Sequence, residues 1–338
     1  MSIIADTISW ATTPKPKSIP CYRLPLLTRR NFAKNYLPNL QRITRILRKI
    51  NPDFVHIQAE YYYSPAVIIS GKQYILTSWG TEVLNLPNEN TALKTLARIT
   101  ARKSFRITVD AKVLEEIWTQ MGVTRNKVEV IPFGVDLNVF NPKADGSHIR
   151  RKLNIREDDI VLISTRALYN HHYDVESFVR AIPLILESNN HVKFIIKGSG
   201  PLEGYLQSLA KTLGVSEHVR FVKLVPHHEM ANYLAAADIY VSTCFIDTTS
   251  VSLLEAMACG LAPITTDIVG NREWIRNGKN GFLFQPRNPV ALAEKAAQLI
   301  ENKGLRETFG EKCSEIAKQK ASWKDCVSKM EHIYQSLL

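Results

Sequence analysis

From residue 51 onward the chain alternates between two kinds of segment. Short runs rich in β-branched and aromatic residues come first: DFVHIQ, QYILTSWG, FRITVD and VEVIPFG, and later IVLIST, VKFIIKG, VRFVKLV, DIYVST, LAPITTD and NGFLF. Between them lie stretches such as YDVESFVRAIPLILES and EGYLQSLAKTLG, whose apolar residues recur every three or four positions. Strand, helix, strand in this order predicts α/β architecture, with parallel sheets covered by helices on both faces. The period lapses at NVFNPKADG, Asn138 to Gly146, where Asn, Pro and Gly cluster after a strand. A joint there divides the chain into domains 1–140 and 141–318. A closing segment, 319–338, is helical by period, with Trp323, Val327, Met330, Ile333, Tyr334 and Leu337 on one face suited to covering the first domain. Two such domains would face a cleft at the C-terminal ends of their strands, where α/β sheets bind ligands.

A length of 338 residues suits two cores. No window approaches the roughly 18 apolar residues of a membrane span, and MSIIADTISW lacks the order of a signal peptide, so the expected location is the cytoplasm. Cys21, Cys244, Cys259, Cys313 and Cys326 are scattered and form no metal-ligand spacing, which predicts free thiols and no metal site. The net charge of +11 is concentrated at the start: residues 1–50 hold ten Lys or Arg against Asp6 alone. Phe32, Tyr36, Leu40, Ile43, Ile46, Leu47 and Ile50 share that region at helical spacing, so the basic side chains ride on an amphipathic helix. Lys94, Arg98 and Arg102 form a second basic stripe. Such a face is either simply solvated or docks on anionic lipid headgroups at the inner face of a membrane. Nucleic acid is not expected as a partner, because the basic region carries no nucleic-acid-binding motif.

The stretch DTTSVSLLEAMACG, Asp247 to Gly260, passes from acid and hydroxyls into a buried helix that carries one acid, Glu255. Two readings are open. Ser252 and Glu255 fit a capping box. Alternatively the helix starts earlier, its N-terminus takes a phosphate, and Asp247 and Glu255 flank one bound molecule. Three other segments reach the same sheet edge. Gly198 and Gly200 of KGSGP follow a strand, as glycines do where a backbone nears a phosphate. Arg166 ends IVLIST, with His171 and His172 close behind as further donors to a diphosphate. Arg272 and Glu273 in GNREWI follow LAPITTD.

The order STR, IIKGSGP, RFVKLVPHHEMANYLAAADIYVST, D-x7-E in DTTSVSLLEAMACG, then GNREWI and NGFLF resembles the group 1 (family 4) glycosyltransferases of the GT-B fold, continuously from about Val128 to Tyr334. The resemblance implies a retaining transferase that takes a sugar from a nucleotide-diphosphate donor. Glu255 would hold the ribose hydroxyls and Asp247 those of the donor sugar. Backbone N–H groups from Thr248, Thr249, Ser250 and Val251 would hold the diphosphate, Arg166 would neutralise it, and the base would lie beside Val225. Same-face transfer needs no protein nucleophile, and without a D-x-D motif no metal or other cofactor is implied.

The pattern departs from the family at four places. Asp247 stands where Glu is usual, and His171 and His172 occupy the span where a Lys is usual. Trp79, followed by Gly80 and Thr81, stands where a first-domain His is usual, and marks the acceptor side. No Gly-rich loop precedes Gly71, so the first domain is expected to lack its first strand-helix unit. The favoured reading is a transferase acting on a cell-envelope glycan or lipid-linked acceptor, peripheral at the inner membrane face. A catalytically weak nucleotide-sugar-binding subunit of a partner enzyme and a nucleotide-sugar 2-epimerase are the alternatives.

Overall fold

In the computed structural model, residues 3–6, 21–24, 32–58, 61–84, 91–169 and 171–338 are described. The chain divides into two compact units. One comprises Met1–Val109, Leu114–Glu129 and Ile333–Leu338; the other comprises Asp110–Val113 and Val130–His332.

In the first unit β1 (Ile3–Asp6) and β2 (Cys21–Leu24) form a parallel pair. A separate parallel sheet runs in the order β3 (Val55–Gln58), β4 (Tyr74–Ser78), β5 (Arg106–Val109), β6 (Val128–Val130). The Phe32–Ile50 helix buries Leu40, Ile43 and Leu47 and leaves Arg42, Arg45, Arg48 and Lys49 exposed, as its apolar period requires. Tyr334, near the end of the Trp323–Gln335 helix, also belongs here, with its hydroxyl 2.7 Å from His56 Nδ1. Among the described residues no helix is long and apolar enough to cross a membrane.

The second unit contains six parallel strands: β7 (Ile160–Ser164), β8 (Val192–Lys197), β9 (Val219–Val222), β10 (Ile239–Ser242), β11 (Ala262–Thr266) and β12 (Phe282–Phe284). Their order is β12-β11-β10-β7-β8-β9. Read from the other edge this is the 3-2-1-4-5-6 order of the Rossmann fold, whose direction of winding reverses between β7 and β10. Strands in the middle of such a sheet are covered twice, which is why IVLIS, IYVS and APITT are almost wholly buried. One core, including Phe178, Phe194, Leu292 and Phe309, lies on one face. The other, including Ile195, Tyr233, Tyr240 and Leu254, lies on the opposite face. The Asn138–Gly146 segment lies within this unit, where Phe140 is buried in the second core.

Candidate functional site

At the reversal of winding, neighbouring strands send their chains to opposite sides, and the gap above them is open to a ligand. Arg166 follows β7 and Asp247 follows β10 into that gap. The Arg166 guanidinium donates to Asp247 Oδ2 at 2.5 Å, to Ser252 Oγ at 3.1 Å and to Ser250 Oγ. It also lies 4.5 Å from the centre of the Tyr173 ring. Burial opposes its charge, but Asp247, with Tyr240 and Cys244, more than offsets this, so its pKa lies above the ordinary arginine value. Arg166 Nε and Thr165 Oγ1 are buried and, among the described residues, have no hydrogen-bond partner. The two side chains stand at a cavity of about 290 Å³ lined by Thr165, Arg166, Ala167, Tyr173, Asp247, Thr249, Ser250, Val251 and Ser252. Its walls present donors, as an anionic ligand demands.

The loop and helix beneath this cavity exclude the capping-box reading of the D-x7-E stretch. The helix spans Val251–Ala258 and its N-cap is Ser250, whose hydroxyl accepts from Leu253 N–H at 3.3 Å. Ser252 is therefore already helical, and Glu255 lies beyond the first turn, where it cannot close a capping box. The first-turn N–H groups of Val251 and Ser252 have no intrahelical acceptor and sit at the cavity wall.

Thr248 and Thr249 are held from below. Buried Asp110 accepts from Thr248 Oγ1 at 2.7 Å and from Thr249 N–H at 3.2 Å, while Thr249 Oγ1 donates to the Asp110 carbonyl at 2.6 Å. Thr248 N–H donates to Asp247 Oδ1 at 3.0 Å. Both threonines therefore shape the loop, and the open N–H groups lie further along at the helix start. Burial pushes the Asp110 carboxyl up to about 7, against the opposing pull of its bonds to Thr248 and Thr249. Gly270 packs over the same loop: a Cβ there would stand 2.0 Å from the Thr248 carbonyl oxygen.

Glu255, only 5% exposed, projects from the next turn of the helix. Its Oε1 lies 2.7 Å from Nε2 of His227, an exposed residue that follows Val225 and Pro226. Burial raises the Glu255 pKa, while His227 and Lys197 pull it down. Gly198 and Gly200 make room for the protein's own backbone: a Cβ on either would come within 2.3 Å of the Arg166 carbonyl oxygen or the Leu168 carbonyl group. They hold the loop after β8 against the loop that carries Arg166.

Other predicted residues go elsewhere. His171 lines a second cavity, of about 190 Å³, with Asp174, Tyr205, Phe245 and Arg287. His172 stays near Arg166, and burial, helped by that charge, holds its pKa below the usual histidine value. Both Glu273 oxygens accept backbone N–H groups, from Lys112 and Val113, each at 3.0 Å. Arg272 pairs with Asp267 at 2.6 Å. In the first unit Trp79 is 46% exposed and its indole N–H donates to Gln58 Oε1 at 2.8 Å. Gly80, at φ 121°, leads into the Thr81–Leu84 helix. Lys197 opens KGSGP and His227 lies in LVPHHEM, but there, as with Asp110 and Gln58 at strand ends, the local sequence does not show what the side chain meets.

A six-stranded sheet of Rossmann order, with an arginine-lined cavity and a helix N-terminus at its reversal point, defines a doubly wound α/β protein whose open cavity lies where that fold leaves room for a ligand. Residues 145–316 match the family described as Glycosyl transferases group 1, and residues 12–111 match Glycosyl transferase 4-like. The chain belongs to the group 1 glycosyltransferases. It is 27% identical over 234 residues to an uncharacterised glycosyltransferase of Methanocaldococcus jannaschii, a match that takes in 68% of this chain and 59% of that one. It spans about half the length of several other curated relatives. Its fold is similar to that of sucrose-phosphate synthase from Thermosynechococcus elongatus, with TM-score 0.80 and 17% identity over 96% of this chain and 85% of that one. It is also similar to Anabaena HepE solved with UDP-glucose, with TM-score 0.78 and 17% identity over 94% and 86%. These likenesses establish the GT-B fold, with its two Rossmann-like parallel-sheet domains.

Proposed function

We propose that this chain is a retaining glycosyltransferase that moves a sugar from a nucleoside diphosphate to a cell-envelope glycan or lipid-linked acceptor. The observation that carries this reading is the Arg166–Asp247 pair beside the open N-terminus of the Val251–Ala258 helix, with buried Glu255 on the same helix. The diphosphate occupies the cavity, where Arg166 and the first-turn N–H groups donate to it. Asp247 accepts hydroxyls of the donor sugar and Glu255 those of the ribose, once His227 moves aside. The anomeric C–O bond to the diphosphate breaks with its electron pair going to the leaving phosphate. The acceptor hydroxyl oxygen bonds to the same face, and its proton passes to a phosphate oxygen. Charge develops on the leaving diphosphate, so fixed donors aimed at it are the main catalytic demand on the protein.

HepE was solved with UDP-glucose, and a nucleotide sugar of that class is the donor proposed here. Trp79, with Gln58 fixing its indole, supports an acceptor side built for a saccharide, since an exposed aromatic face packs well against a sugar ring. The exposed Arg42, Arg45, Arg48 and Lys49 support attachment to an anionic membrane surface. The test is an assay with a panel of nucleotide sugars and saccharide or lipid-linked acceptors, reading nucleoside diphosphate release and the anomeric configuration of the product. Transfer with retention is the expected result. Binding without turnover would replace this reading with a donor-binding subunit, and release of an epimerised sugar would replace it with an epimerase.

A further inference from the structure

Lys197 ends β8 and is only 2% exposed, the position of a core residue rather than of an ordinary lysine. It shares a sheet face with Ile195, two residues earlier, and so points into the core that holds Tyr233 and Leu254. Its ammonium lies 6.0 Å from the centre of the Tyr233 ring. Among the described residues it donates no hydrogen bond and forms no direct ion pair. A buried ammonium left in that state is costly unless something completes its shell.

The neighbouring acid is incomplete in the complementary sense. Glu255 and Lys197 act on each other electrostatically but do not touch. Glu255 Oε1 is engaged by His227, whose side chain is 72% exposed, and among the described residues Oε2 accepts no hydrogen bond. A pure acceptor and a pure donor, both buried, thus border the same core. A vicinal diol fits this pair: each hydroxyl hydrogen can go to the carboxylate while each hydroxyl oxygen still accepts from the ammonium.

We propose that Lys197 is a donor-binding residue that, together with Glu255, clamps the ribose cis-diol and selects ribonucleoside over 2′-deoxyribonucleoside diphosphates. This rests on the reading that the unit binds a nucleotide sugar, and it adds a second, cationic half to the ribose subsite.

The experiment is calorimetric titration of the full chain with UDP, GDP and their 2′-deoxy counterparts, for the wild type, Lys197→Met and Lys197→Gln, with thermal melting of each. The wild type is expected to bind at least one ribonucleotide more tightly than its deoxy form. Either substitution should weaken ribonucleotide binding ~10- to 100-fold, the range for loss of a charged hydrogen bond, while changing the deoxy form much less. Methionine occupies a similar volume without a charge, so melting of the Met variant should be unchanged or raised. An unchanged ribo-to-deoxy preference in both variants overturns the assignment, as does equal weakening of both nucleotide forms. Unfolding of both variants also overturns it, because Lys197 would then be structural. A wild type that binds none of the four nucleotides overturns the donor-binding reading itself and this assignment with it.

Discussion

Arg166 and Asp247 are separated by 81 positions in the sequence and joined by a 2.5 Å charged hydrogen bond. They meet because β7 and β10 are neighbours in the sheet, with Ile239 opposite Leu162 and Tyr240 opposite Ile163, although two strands intervene along the chain. The pairing holds the guanidinium in place before any ligand arrives, and in the proposed reaction this lowers the reorganisation needed as charge develops on the diphosphate.

Asp247→Asn should therefore separate binding from chemistry. The amide keeps the shape of the loop but removes an anion beside the proposed diphosphate site and a strong acceptor for the proposed donor sugar. Turnover is expected to fall by about 100-fold or more, while affinity for UDP or GDP without a sugar is retained or improved. Donor-turnover kinetics set beside nucleotide titration checks both halves.

Glu255→Ala should lower affinity for the ribonucleotide about 10-fold or more, since a charged hydrogen-bond acceptor is lost. Because Ser250 rather than Ser252 caps the helix, the substitution removes no cap, and alanine favours the helix. Any loss of melting temperature should be modest and come from the lost His227 contact and Lys197 charge compensation rather than from a lost cap. A drop in melting temperature with normal nucleotide binding would assign Glu255 a structural role instead.

Asp110 gives the protein a stability that depends on pH. Its carboxyl is raised to about 7 in the fold, so between the unfolded carboxylate range and that value the folded state holds a proton that the unfolded chain releases. Stability linked to this group is fully present below about pH 4 and is lost as pH rises toward 7, by up to roughly 4 kcal/mol. Asp110→Asn should remove that dependence, so the variant gains on the wild type between pH 5 and pH 8. Urea unfolding at those two pH values measures it, and parallel wild-type and variant curves would refute it.

Gly270→Ala should disturb the loop without touching a ligand. The added carbon would overlap the Thr248 carbonyl, so either segment must shift, at about 1–3 kcal/mol. Nucleotide affinity should fall with stability, as seen by titration and melting of the same sample.

Reversing the charge at Arg42, Arg45, Arg48 and Lys49 tests attachment to a surface. Each residue contributes on the order of 1 kcal/mol to binding at an anionic bilayer, so the fourfold reversal should abolish cosedimentation with vesicles rich in phosphatidylserine. Since Leu40, Ile43 and Leu47 keep the helix docked through its other face, the fold should persist. Equal cosedimentation of variant and wild type would remove the membrane from the proposal.

The sequence by itself determined the local chemistry. Ten apolar runs became β3 to β12; the central ones, such as IVLIS, IYVS and APITT, are covered on both faces and so need an unbroken apolar run. The D-x7-E stretch, Arg166 and the glycines after β8 were visible as motifs, since each depends on residues close in the chain. Tertiary structure alone decided which of them act together. Strand order brought Arg166 to Asp247, and it also directed His171 into another cavity and Glu273 to the Lys112 and Val113 amides. Burial gave Asp110 and Lys197 their significance, for an ordinary aspartate and an ordinary lysine read alike on the page. Desolvation and hydrogen bonding depend on which distant side chains surround a group, and no pattern along the chain encodes that surrounding shell.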